Sequence, residues 1–135
     1  MFKHFEMMTA WTIADFLTYI YQLVANADMQ ADEGEITIIK SQVEKVLITH
    51  FGIAQYSYSD CMQKIQASEG VSLLNCTDVI RRLMPTFEFR PEVKNDIFND
   101  LQSIAISDND FSTAEHEIIN FIKQVFLTVE MPLNS

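Results

Sequence analysis

The chain has 135 residues, a length that suits one domain and lets about two-thirds of the unfolded chain's surface be buried. It is 48% hydrophobic with only 3 Gly and 3 Pro, which disfavours disorder and any strand-and-turn architecture that depends on turn formers. Its 19 acidic residues against 9 basic ones give a formal charge of -10, so a nucleic-acid partner would meet repulsion, whereas cations and basic surfaces are favoured.

Residues 1–8 are rich in Met and Phe without a clear period and read as a short leading turn. The spacing predicts a first helix from about Thr12 to Ala27, with Ile13, Phe16, Leu17, Ile20, Val24 and Ala27 toward a core and Thr12, Asp15 and Gln22 opposite. Glu6 and Asp15 interrupt the apolar run behind Lys3, so this segment reads as a core helix rather than a secretory leader. No run of about 20 apolar residues exists to span a bilayer, and the scattered Lys and Arg form no patch for anionic lipid. A cytoplasmic protein with no membrane partner is expected.

A second helix is predicted from about Glu33, with Ile36, Ile39, Val43, Val46, Leu47 and His50 as its stripe and Gly52 as a left-handed terminus. His50 on that stripe reads as a satisfied core histidine. Serines around Tyr56 and Tyr58 offer caps for a shorter helix over about Asp60–Ser68, and another is predicted over about Thr77–Met84, stopped by Pro85. Pro91 suits a first helical position, with Val93, Ile97, Leu101 and Ile104 as the stripe that follows. The last helix carries Ile118, Ile122, Val125 and Val129 before Pro132. Cys61 and Cys76 lack metal-site spacing and read as buried, reduced thiols.

Two acidic segments stand out, Asp28-Met29-Gln30-Ala31-Asp32-Glu33-Gly34-Glu35 and Asp108-Asn109-Asp110-Phe111-Ser112-Thr113-Ala114-Glu115. Each joins two apolar-periodic helices. The repeat extends at an offset of 80 into the flanking stripes, pairing Leu17 with Ile97, Tyr21 with Leu101, Val24 with Ile104, and Ile39 with Ile119. The expected architecture is therefore all-α: a single domain over 1–135, a pseudo-twofold bundle of two related hairpins (about 12–51 and 91–129) joined by shorter helices, about six to seven in all.

Two readings of the acidic segments stand side by side. Asp32 with Glu35, and Ser112 with Glu115, form capping boxes that satisfy backbone donors, and carboxylates in a first helical turn suit the helix dipole without any ligand. Asp28 and Asp108 instead fall where the preceding helix ends and the dipole disfavours negative charge. Carboxylates at this spacing can converge on a hard divalent cation of unspecified identity, with Asp32 and Asp110 adding to the candidate set. Neither segment is an EF-hand, because Ile39 and Ile119 occupy the twelfth position counted from Asp28 and Asp108, where that motif places Glu.

These residues resemble the TerB-like domains of tellurite-resistance proteins, whose helical hairpins carry an Ala-Asp-Gly turn with a Glu seven residues after the Asp. Ala27-Asp28 to Glu35 is similar to the first such turn, and Asp108 to Glu115 to the second, with Ser107 in place of Ala and with Met29 and Asn109 in place of Gly. The resemblance implies an all-helical pseudo-symmetric bundle and a metal-binding role for Asp28, Glu35, Asp108 and Glu115, in a stress-response setting. Asn tolerates a left-handed backbone and Met does so poorly, so the second segment is the better candidate. No phosphate loop, nucleophile elbow or Cys/His pairing supports an enzyme. The alternative function is a protein-interaction module whose acidic face docks a basic partner while the segments only cap helices.

Overall fold

A computed structural model of the chain describes residues 11–26, 33–68, 76–87, 90–106 and 113–128. Among them lie six helices and no strand: α1 (Ile13–Ala25), α2 (Glu33–Phe51), α3 (Tyr58–Ser68), α4 (Cys76–Phe87), α5 (Pro91–Ile106) and α6 (Thr113–Thr128). Side chains of every helix join one apolar cluster, so the fold is an all-α bundle.

The bundle is organised around α1, which packs against α2, α3, α5 and α6. Phe16, Leu17, Tyr19, Ile20, Tyr21 and Val24 are fully buried, and the rest of the helix circumference is covered as well. A helix covered on all sides belongs at the centre of a bundle, and each large apolar side chain buried this way contributes roughly 1.5–3 kcal/mol. Here the structure corrects the expected polar face. Thr12 is exposed, but Asp15 and Gln22 are buried, together with Thr18. The reason is that α3 and the segment before it lie over that side and supply partners for each polar group.

Those partners form an ordered set between α1 and α3. Trp11 donates from Nε1 to Ser68 Oγ at 3.0 Å, Lys64 Nζ sits 2.6 Å from Asp15 Oδ2, and Tyr58 donates its hydroxyl to Gln22 Oε1 at 2.6 Å. Ascending along α1, the partners descend along α3, so the two helices are antiparallel. Thr18 gives its one hydroxyl proton to the Ala14 carbonyl, 2.8 Å away, which leaves Tyr56 as the donor in the 2.7 Å contact between the two hydroxyls.

Local sequence explains where most helices begin and end. Thr12 and Asp15 make a reciprocal capping box at the start of α1. Ser57 Oγ accepts from the Asp60 amide, so the serine ahead of α3 is its cap, and the helix starts at Tyr58 rather than Asp60. Gly52 follows α2 with φ 66°, and beyond it the Ile53 amide returns to the Leu47 carbonyl at 3.0 Å. Pro91 opens α5, with Val93, Ile97, Leu101 and Ile104 buried as the spacing predicts.

Pro85 departs from expectation, because α4 continues through it to Phe87. An interior proline removes the bond to the carbonyl four residues earlier, here that of Arg81, and crowds that carbonyl, so tertiary packing has to outweigh a local cost of about 3 kcal/mol. The apolar stripe of Cys76, Val79, Ile80 and Leu83 then anchors the helix on the core, chiefly against α6. Phe98 of α5 packs on Phe126 of α6 with ring centroids 5.1 Å apart, under the Lys123 ammonium at 5.6 Å.

Candidate cation site and the buried polar network

Of the six carboxylates expected to hold a cation, Asp28, Asp32, Asp108 and Asp110 lie outside the described residues. Glu115 is the third residue of α6, with its side chain likewise outside them. Glu35 is described. It lies in the first turn of α2 and is 5% exposed, whereas Glu33 in the same turn faces solvent.

Helix directions relate the two acidic segments. Lys45 and His50 of α2 meet Asp100 and Asp96 of α5 respectively, so α2 and α5 are antiparallel. Since α1 and α2 pack side by side as a hairpin, α1 and α5 run the same way. The C-terminal ends of α1 and α5 and the N-terminal end of α2 therefore share one end of the bundle. Among the described residues no three His, Cys, Asp or Glu side chains gather as a ligand group. The acidic segments carry carboxylate oxygens, the donors a hard cation prefers.

A polar cluster that the hydrophobic pattern did not reveal lies where α1, α2 and α5 meet. Asp100, 3% exposed, accepts from the Tyr21 hydroxyl at 2.7 Å and from Lys45 Nζ at 3.2 Å. His50 Nε2 contacts Asp96 Oδ2 at 2.6 Å, so the histidine on the apolar stripe does have a partner. Burial raises the Asp100 carboxyl above the usual carboxylate range, opposed by the Tyr21 hydrogen bond and the Lys45 charge. Tyr21 is raised well above its ordinary value by burial and by the Asp100 charge. The only sequence signal was a charged residue next to Leu101 on an otherwise apolar face.

The Asp15 side of α1 opens into a crevice of about 370 Å³ lined by Thr12, Asp15, Tyr56, Asp60, Cys61 and Lys64. Oδ2 of Asp15 is already engaged there by the Thr12 amide and hydroxyl and by Lys64. Cys61 and Cys76 are buried and free, as expected, and burial pushes both thiols up to about 12. In the metal-free fold both thiols are therefore held in the protonated form at neutral pH.

The family model for the tellurite resistance protein TerB matches residues 14–129. The chain belongs to the TerB family. No curated protein and no solved structure matches it. The matched stretch runs from the first turn of α1 to the end of α6, so both acidic segments fall inside the TerB region. No described helix is long and apolar enough to cross a membrane.

Proposed function

We propose that this chain is a single, non-enzymatic TerB domain that binds a divalent cation through its two acidic inter-helix segments, in the cytoplasm and in a stress-response setting. Asp28, Asp32 and Glu35 would contribute from the first segment, and Asp108, Asp110 and Glu115 from the second. The observation that supports this most is helix direction, because antiparallel α2 and α5 put the helix ends that flank both segments at a common end of the bundle. Glu35, in the first turn of α2 at that end, is nearly inaccessible to solvent.

The hairpins are also proposed to be pseudo-twofold partners. Positions related by the offset of 80 share burial: Leu17 and Ile97, Tyr21 and Leu101, Val24 and Ile104, and Ile39 and Ile119 are all buried. The packing of α1 on α6 is matched by that of α5 on α2. Thermal melts with calcium, magnesium, manganese and zinc test the cation reading. A bound ion raises the melting temperature with its concentration, and Asp108→Ala abolishes that rise; no shift from any of the four would overturn it.

The charge of -10 supports a second reading, a module that docks a basic protein partner without any metal. Partners recovered by pull-down would then survive chelation and be lost as salt is raised.

A further inference from the structure

Asp100 breaks the pattern of its own helix. Val93, Ile97, Leu101 and Ile104 give α5 an apolar stripe, and such a surface attracts without direction, so it could seat on α1 and α2 in more than one axial register. Asp100 is directional. Its Oδ2 accepts from Tyr21 on α1 and its Oδ1 from Lys45 on α2, so one side chain of the second hairpin ties both helices of the first. One turn earlier, Asp96 meets His50, a second rung between α5 and α2. A one-turn slide of α5 would break both rungs and leave the Asp100 carboxylate and the Tyr21 hydroxyl buried without these partners.

Such a group is a poor stabiliser. Desolvating a carboxylate is costly, and apolar residues of similar volume often hold a core at least as well. The raised Asp100 carboxyl has the same meaning, as its charged form is disfavoured by the fold. We propose that Asp100 is a register clamp, hydrogen-bonded at once to Tyr21 of α1 and Lys45 of α2, which specifies one seating of the α5–α6 hairpin on the α1–α2 hairpin while lowering stability. The clamp is independent of cation binding. It joins the three helices whose ends flank the acidic segments, and so holds those ends in a single relation.

The test is the double variant Tyr21→Phe/Asp100→Leu, which removes both buried polar groups together and leaves neither orphaned. Lys45, whose side chain is 57% exposed, can turn to solvent. The variant is expected to melt at or above the wild-type temperature, while its amide NMR signals in α1, α2 and α5 become doubled or exchange-broadened. A single sharp set of signals would overturn the proposal, because apolar packing alone would then fix the register. A lower melting temperature or failure to fold would overturn it too, since the cluster would then be a stabilising one. Asp100→Asn provides the control, keeping an acceptor for Tyr21. It is expected to give one sharp set and to melt no lower than wild type, and a loss of several degrees would count against the clamp.

Discussion

Asp15 and Asp100 are both nearly inaccessible carboxylates, yet their settings differ. Asp15 accepts from the Thr12 amide and hydroxyl and lies against Lys64, at the N-terminal end of α1 where the helix dipole favours its charge. Asp15→Ala removes half of the capping box and the ion pair together, so urea denaturation should show a loss of about 1–2 kcal/mol or more. Asp100 has no cap and is disfavoured as an anion by its burial. Because its folded pKa is raised, its stabilising contribution is complete below the unfolded carboxylate range and is lost as pH rises through the folded value. The melting temperature of Asp100→Asn relative to wild type should therefore increase between about pH 4 and 7. An unchanged difference across that range would contradict the burial account. The buried thiols, pushed up to about 12, should react with a thiol reagent at pH 8 only when the chain unfolds.

At the scale of the helix, the ends are set by short local patterns and the faces by what covers them. Gly52 has φ 66°, and a Cβ there would meet nothing within 4 Å, so Gly52→Ala should lose only the left-handed backbone preference, about 1 kcal/mol in urea denaturation. The stripes of α2 and α5 were legible in the sequence because those helices are apolar on one face. The burial of α1 was not legible, since periodicity sees the polarity of Asp15, Thr18 and Gln22 but not Lys64, Tyr56 and Tyr58, which come from more than 30 positions away. One signal was available. Thr12-Ile13-Ala14-Asp15 has the spacing of a capping box, which would have put Asp15 at a helix start rather than on a solvent face. The reach of α4 past Pro85 depends on tertiary anchoring that a local breaker rule does not contain.

For the whole molecule, α1 is the helix on which the others pack, and truncating its centre should be the most damaging change. Ile20→Ala, with a side chain buried completely, should cost about 2–5 kcal/mol in denaturant unfolding, while Ala at the exposed Ile48 should cost far less. The family and the doubled acidic segment could be read from the sequence, but whether the helix ends that flank those segments share an end of the bundle could not, because that depends on the direction of α5 against α2. The contacts of Lys45 with Asp100 and of His50 with Asp96 supply that direction. Cation binding at that shared end is the central claim, and titration with manganese followed by amide NMR tests it most directly, since a paramagnetic ion broadens only nearby signals. Broadening at low manganese should be confined to amides beside both segments, from Asn26 to Glu33 and from Ile106 to Thr113, and should disappear in Asp108→Ala. Weak broadening spread over the acidic surface, unchanged by that substitution, would contradict it.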